Sequence, residues 1–569
     1  MFGAAFTVAV SLAMGTVLLH DRETDPGLRF ICGAAVLSAA VFGLCAAGLA
    51  YPLLFLVLGV AVIGGIRPRP VLPKLGPAPR LAMAAFAVFF LLYLSNAMAP
   101  EISFDGSRYH LGLVGRYLRE HGFHPITDNL YASLSQGIEM LFLFAYAFGR
   151  HSAAAMVHFA FLLALAWMVW SYARRTGHPV AGVCAALLVF VSPVVGVDGT
   201  SAYNDVAVAA IAFALFYLLQ IWDETRAFRL LPVIGLVAGF AYAAKYTAWA
   251  AVPYAAAWIG WKGRRWREVG VVAIGASVMI APWMAKNWIF VHNPVAPFFN
   301  RVFPNPYVTP EFEQEYREHM SRYDLKSRWE LPMQATTHGS LSGLLGPVFL
   351  LSPIALLALR KQEGRQLLLA SGVFGVNYFS NIGTRFLIPS LAFVALAMAL
   401  VLERWPRVAL TLALVHAVIS WPSIVERYCR FDAWHLQKVT YREALRIKPE
   451  DGFLESNLPL YGATRMIERG TPVNATVFAF TPIPEAYTTR KVRVAYQASE
   501  NILLRDGLWA ALQSPDLRRT AEAEMRRRGV THLIVFDGET GADEFRRDPG
   551  GWGMQPVSEY KGARLYLLQ

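Results

Sequence analysis

Five ionisable residues stand where apolar blocks give way to loops: Asp105, Glu139, Asp205, Lys245 and Arg385. An ionisable group at such a boundary costs several kcal/mol if buried alone, so it faces a cavity or a partner. Asp105, in PEISFDGSRYH, can orient or deprotonate a hydroxyl, or hold a divalent cation such as Mg or Mn. Tyr109 and His110 follow within about one helical turn, in reach of its carboxylate. The same aspartate also suits the N-cap of the helix expected at 106–121. Glu139 lies on an apolar segment and needs a partner or water. Asp205, in AYNDVAVAA, is either a site carboxylate or an acid favoured by a helix N-terminus. Lys245, followed by Tyr246, can hold a phosphate as a point charge or snorkel to headgroups. The planar fork of Arg385 matches phosphate oxygens. Lys286, Asn287, His292 and Asn293 follow one another where a helix leaves its apolar block; individually they suit loop capping and the Asn293-Pro294 turn. Together, carboxylates and cations at one end of a helix bundle suit an amphiphilic phosphate whose tail stays in lipid.

The elements that must position these residues are membrane helices. Of 569 residues, 55% are hydrophobic and 16% charged, against about 25% charged in soluble domains. Mean hydropathy is +0.39. A soluble enzyme, a disordered chain and a disulfide scaffold are all excluded. Apolar blocks place helices at about 3–20, 30–48, 51–66, 81–98, 152–172, 179–197, 203–222, 230–244, 247–262, 268–289, 341–359, 367–382, 386–402 and 407–420. The expected fold is an all-α polytopic membrane bundle of about 12–14 transmembrane helices with a small C-terminal α/β domain. Basic residues cluster at Arg67/Arg69/Lys74/Arg80, Arg174/Arg175, Arg226/Arg229, Lys262/Arg264/Arg265/Arg267, Arg360/Lys361/Arg365 and Arg404/Arg407. These helices put all six clusters on one side, the cytoplasmic one by the positive-inside rule. The outer jaw loop 99–151, the outer loop 290–340 and the tail then face the other side. Segment 132–149 is apolar but carries Gln136 and Glu139, and reads as an interfacial or re-entrant helix.

Residues 421–569 change character. From Pro422 onward the chain carries 21 Lys/Arg and 19 Asp/Glu, a soluble density. Runs 475–480, 491–496, 531–536 and 563–568 have strand patterns. Ser514-Pro515 opens a helix that Gly529 closes. The division is therefore a transmembrane domain 1–420 and an extracytoplasmic α/β domain 421–569. The net charge of +12 lies mostly in the membrane part, and no basic patch interleaved with aromatics points to nucleic acid. Cys32, Cys45 and Cys184 sit in apolar blocks, Cys429 stands apart, and their spacing suggests neither zinc nor a disulfide pair. HExxH, HxxxH and CxxC patterns are absent from the membrane part, and His158, alone in a helix, reads as a packing residue. The N-terminus has no charged n-region, so its first block reads as a retained helix.

The order of these motifs resembles the GT-C superfamily of integral-membrane glycosyltransferases, in particular the bacterial relatives of protein O-mannosyltransferases and lipid A aminoarabinose transferases. The resemblance spans roughly 81–402. It rests on Asp105 in FDGSRYH, the jaw helices 106–121 and 132–149, Asp205, the Lys245-Tyr246-Thr247 run, Pro282-Trp283 with Asn287, Asn293 and Pro294, and Arg385-Phe386-Leu387 with Pro389. The resemblance implies transfer of a sugar from a polyprenyl-phosphate donor to a lipid, glycan or protein acceptor, in a bacterial inner membrane, on its outer face. Asp105 would activate the acceptor hydroxyl or help hold a metal. Lys245 and Arg385 would neutralise the leaving lipid phosphate, and Asp205 and Glu139 would orient the sugar or the jaw helices. A transporter or flippase of a lipid-linked or anionic substrate is the main alternative; it favours inverted repeats and midplane charges, which this sequence does not display. A ligase using a lipid-pyrophosphate donor and a non-catalytic scaffold are the others.

Overall fold

The computed structural model describes residues 1–19, 25–66, 80–323 and 325–569. His20, the end of the first expected span, and Arg67, Arg69 and Lys74 of the first basic cluster lie outside the described residues. In chain order the helices are α1 (Phe2–Leu19), α2 (Pro26–Ala46), α3 (Pro52–Ile66), α4 (Arg80–Met98), α5 (Leu111–Arg119), α6 (Gly137–Arg175), α7 (Pro179–Phe190), α8 (Pro193–Gly199), α9 (Asp205–Thr225), α10 (Leu230–Ala244), α11 (Ala251–Gly263) and α12 (Trp266–Val291). After α13 (Pro310–Met320) come a 3₁₀ segment, Pro347–Arg360, and α14 (Gln362–Phe374), α15 (Ile388–Val401) and α16 (Pro406–Ile419).

Among the described residues, seven helical stretches are long and apolar enough to cross a membrane, eight if α7 and α8, bent by 69°, make one span. Four shorter apolar helices accompany them. The chain is thus a multi-pass helical membrane protein, and its blocks fall where hydropathy puts them. Two expected spans are shorter than the apolar run suggests: 247–262 resolves into a 3₁₀ turn and the 13-residue α11, and 367–382 into the 13-residue α14 and another 3₁₀ turn.

The chain divides into two compact units. The first comprises 1–101, 135–282 and 319–447; the second comprises 102–134, 283–318 and 448–569. In the first, α9 is the central helix, with Asp205 to Gln220 all buried. The helices α1 and α2 approach closely because they meet at glycines. A Cβ on Gly15 would lie 1.8 Å from the Arg29 carbonyl oxygen, and one on Gly33 would lie 1.7 Å from that of Ser11. Small residues give membrane helices this backbone contact, where lipid supplies no hydrophobic drive. Asp25 starts α2: its carboxylate accepts from the Gly27 and Leu28 amides at 2.8 and 3.2 Å and from Trp167 Nε1 at 2.9 Å. The long α6 is broken at Arg150, whose φ of 51° and ψ of −144° are not helical. The break separates 137–149 from 151–175, close to the division expected between 132–149 and 152–172. The earlier piece is covered by protein: Gly137 to Ala145 are buried, and Phe144 stacks on Phe6 of α1 at 5.5 Å.

In the second unit a five-stranded sheet forms from β1 (Thr476–Ala479), β2 (Lys491–Val494), β3 (His532–Phe536), β4 (Met554–Tyr560) and β5 (Ala563–Leu568), in the order β2-β1-β3-β5-β4. Both neighbours of β1 run parallel to it, and β5 is antiparallel to β3 and β4. Alternation along the strands feeds two cores. Phe478, Leu533 and Val535 face one, with Leu508 and Met525; Val477, Ala479 and Ile534 face the other, with Ile467 and Leu565. The pattern missed β4, a mostly exposed edge strand containing Pro556. Proline and charge are what edge strands carry. The helix expected after Ser514 opens as a 3₁₀ turn at Pro515–Leu517, continues over Arg518–Arg527 and ends before Gly529 at φ +76°.

Candidate active site

Five of the sequence candidates belong to the first unit: Glu139, Asp205, Lys245, Tyr246 and Arg385. Asp205 is the first residue of α9. Helix α10 stops at Ala244 and Lys245 turns extended, with φ −160° and ψ 124°. That break carries the lysine to Asp205, with Nζ 2.5 Å from Oδ1. The pair is largely buried, with 16% of the lysine side chain and 4% of the aspartate side chain exposed. Arg385 opens the 3₁₀ turn ahead of α15. Its guanidinium lies 5.3 Å from the centroid of the Phe386 ring, and Lys245 Nζ lies 5.5 Å from the same centroid. Two cations therefore lie against one aromatic ring beside one carboxylate. The adjacent crevice, lined by Asp205, Thr247, Asn377, Phe386 and Pro389, holds about 10 Å³, space for about one water. Tyr246, half-buried, opens the short turn after Lys245.

Glu139 occupies the first turn of α6 and is buried, where the helix dipole favours an acid. The helix start is clamped: Ser38 donates to the Gly137 carbonyl at 2.7 Å, and a Cβ on Gly137 would meet the Ala243 carbonyl at 2.8 Å. Asn204 Nδ2 lies 3.5 Å from Glu139 Oε1 and 3.4 Å from the Ala244 carbonyl, which links Glu139 to the residue before Lys245.

Two further acids in this unit were not put forward as site residues. Asp198, fully buried at the end of α8, accepts from the Val206 amide at 2.9 Å. It therefore caps α9, which leaves Asp205 to the lysine. Glu101 is buried and accepts from the Ala202 amide at 2.7 Å. Each had a signal, an acid inside or just after an apolar run. His158 packs beside them: Nδ1 lies 2.9 Å from the Ser201 carbonyl and Nε2 3.1 Å from the Ala207 amide. A carbonyl only accepts and an amide only donates, so both ring nitrogens have partners, and Nε2 also lies 3.6 Å from Asp198 Oδ1. It is a satisfied core histidine.

The other candidates, Asp105, Tyr109, His110, Asn287 and His292, belong to the second unit. Asp105 precedes a π-turn, Gly106–His110, that leads into α5; it makes no side-chain cap. The cap role open to it in the sequence is therefore not the one it takes. Tyr109 stacks on Tyr131 at 4.1 Å and 14°, and Tyr131 adjoins Tyr316 at 6.4 Å. Burial pushes the Tyr131 hydroxyl far above its usual range, and neighbouring tyrosines add to the shift. His110 is buried. Arg108 is also buried: it lies over Phe104 at 3.4 Å and donates to the Phe104 and Pro482 carbonyls at 3.2 and 3.3 Å. Asn287 Nδ2 donates to the Ser133 carbonyl at 2.7 Å, and Lys286 to that of Ala132 at 2.6 Å, so the end of α12 holds the 130s loop. His292 is exposed in the left-handed region at φ 57°, with Trp288 at 6.4 Å. Among the described residues no three His, Cys, Asp or Glu side chains gather as metal ligands.

Residues 140–288 match the family model described as dolichyl-phosphate-mannose-protein mannosyltransferase. The fold is similar to the crystal structure of ArnT from Cupriavidus metallidurans bound to undecaprenyl phosphate, with a TM-score of 0.56 at 12% identity, covering 87% of this chain and 99% of that one. The apo state of the same protein gives 0.54 at 11%, covering 86% and 97%. No protein of curated function matches the sequence significantly. The chain therefore has an ArnT-like fold, the kind of fold the motif order implied.

Proposed function

We propose that the chain is a membrane glycosyltransferase that moves a sugar from a polyprenyl-phosphate donor to an acceptor hydroxyl on the extracytoplasmic face. Its main support is the Asp205–Lys245 pair with Arg385 on the shared Phe386 ring, set in a fold whose solved example holds undecaprenyl phosphate. In the reaction the acceptor oxygen bonds to the anomeric carbon as the bond from that carbon to the phosphate oxygen breaks. The acceptor proton goes to a carboxylate, the role given to Asp105. The lipid phosphate leaves with added negative charge. Lys245 and Arg385 neutralise that charge, which lowers the barrier because the cations are already in place. Before substrate arrives, Asp205 holds Lys245 in place; a phosphate competes with Asp205 for the same ammonium. Glu139 and Asn204 hold the start of α6 against this corner. The six basic clusters support a reading in which their loops face the cytoplasm of a bacterial inner membrane and residues 421–569 lie outside.

The test is turnover in lipid nanodiscs. The purified protein is mixed with a panel of polyprenyl-phosphate sugars and candidate acceptors, and free polyprenyl phosphate is followed. Lys245→Met and Arg385→Gln are each expected to cut kcat by about 10²–10³, the usual effect of losing one donor to a developing oxyanion. Asp105→Asn is expected to lose turnover while retaining donor binding. Full turnover in Asp105→Asn would remove the base assignment; full turnover in both cation variants would remove the phosphate site.

A further inference from the structure

The second unit contains a cleft that the proposed transfer reaction does not use. It lies between α5 and the free edge of the sheet at β2, with a volume of about 260 Å³, near the lower end of small-ligand sites at roughly 300 Å³. Arg116, Arg119, Arg490 and Lys491 contribute cations to its wall, and Glu120, Asp128 and Glu485 contribute carboxyls, with Glu120 paired to Arg116 at 2.8 Å.

These groups are held from behind. A Cβ on Gly112 would lie 3.0 Å from Glu485 Cβ, so α5 rests directly on the turn that carries the glutamate. Asn501 Nδ2 donates to the Asp128 carbonyl at 2.9 Å, and Arg493 donates to Asn501 at 3.1 Å. Arg490 donates to the Thr471 carbonyl at 2.9 Å and to the Glu468 carbonyl at 2.8 Å. The wall is therefore preorganised rather than a chance meeting of mobile side chains. Lys491 and Arg119 are exposed, and Lys491 makes no ion pair or side-chain hydrogen bond among the described residues.

The lining selects a ligand class. A bare phosphate would gain from the cations but be repelled by Asp128 and Glu120. A nucleic acid would need stacking faces, and no aromatic side chain lines the cleft. A purely apolar ligand would leave charges unpaired. Carboxyls beside guanidinium groups suit a molecule that presents hydroxyls and an anionic group together, the hydroxyls to Asp128 and Glu485 and the anion to Arg119 and Lys491. We propose that this cleft binds an acidic saccharide, at a site separate in kind from the Lys245 corner and independent of whether transfer occurs there.

The experiment is calorimetric titration of the full-length protein in nanodiscs with trigalacturonic acid, its methyl ester and inorganic phosphate. The free acid is expected to bind, the ester at least tenfold more weakly, and phosphate in equal amount to leave the acid bound. Arg119→Gln combined with Lys491→Gln is expected to weaken the acid at least tenfold and leave the ester unchanged. Both positions are exposed, and an unchanged melting curve verifies the fold. Asp128→Asn is expected to weaken acid and ester alike. No binding of the acid, equal binding of acid and ester, displacement by equal phosphate, or an unaltered double variant would each overturn the proposal.

Discussion

Lys245 shows how much one contact decides. With its ammonium on Asp205 and little of either side chain in water, removing one partner leaves a buried charge. Breaking such a pair costs about 3–5 kcal/mol, whereas replacing both partners with apolar groups is often nearly neutral. Asp205→Ala should therefore lower the melting temperature sharply, and Asp205→Ala with Lys245→Met should recover most of the loss. If the single and double variants melt alike, the pair does not carry that energy. Asp198 differs although it lies only seven residues away. It caps α9 through the Val206 amide, so Asp198→Ala should cost about 0.5–2 kcal/mol, the range for a lost N-cap, and Lys245→Met should not rescue it. Glu485 provides a pH test. Burial, with the Asp128 charge adding to it, pushes its carboxyl up to about 8 against the pull of Gln497, Arg116 and Arg108. Between its ordinary range near 4.5 and about 8, the folded chain holds a proton that the unfolded chain has released. Stability is thus full below that window and falls as pH rises through it, by at most about 1.4 kcal/mol per pH unit. Melting curves from pH 5 to 8 should show the decline, and Glu485→Gln should flatten it.

At the scale of elements, helices were legible because apolar runs in a membrane protein leave few other options. The break at Arg150 was legible too, because Gln136 and Glu139 made an uninterrupted span implausible. What failed depended on neighbours distant in sequence. The strand β4 has no apolar face of its own and exists because β5 offers it an edge. Arg108 reads as a polar residue of its own helix, yet its bond to Pro482 crosses 374 residues. The turn at 485–487 and α5 meet through Gly112 for the same reason. Adding a branched side chain there must move one of them, because the space behind the glycine is filled by Glu485. Gly112→Val is expected to cost about 1–3 kcal/mol as overpacking. It should also weaken binding in the cleft before Gly112→Ala does, which a titration of both variants would show. Equal stability of wild type and Gly112→Val would mean that the two elements separate without cost.

For the whole molecule, the order of acids and cations along the chain pointed to a phosphate-handling corner, and the fold brings Glu139, Asp205, Lys245 and Arg385 into one unit. The sequence could not rank the acids, because capping and pairing need the same residue type and differ only in which partner arrives. The side of the membrane is a property of the whole chain as well, and one native residue tests it. Of the four cysteines, Cys32, Cys45 and Cys184 are buried, and only Cys429 is partly exposed. It follows the last membrane helix, at the start of the charged tail. Burial raises its thiol above the usual value, with Glu426 and Asp432 adding to the shift, so less thiolate is present at a given pH and labelling should quicken as pH rises. With the tail outside, a membrane-impermeant maleimide added to intact spheroplasts at mildly alkaline pH should label the wild-type protein once, and Cys429→Ser should abolish the signal. The buried thiols should react only after denaturation. Labelling that appears only after lysis would place the tail in the cytoplasm. The same helices would then turn the Lys245 corner inward, and a donor delivered on the outer leaflet would not reach it.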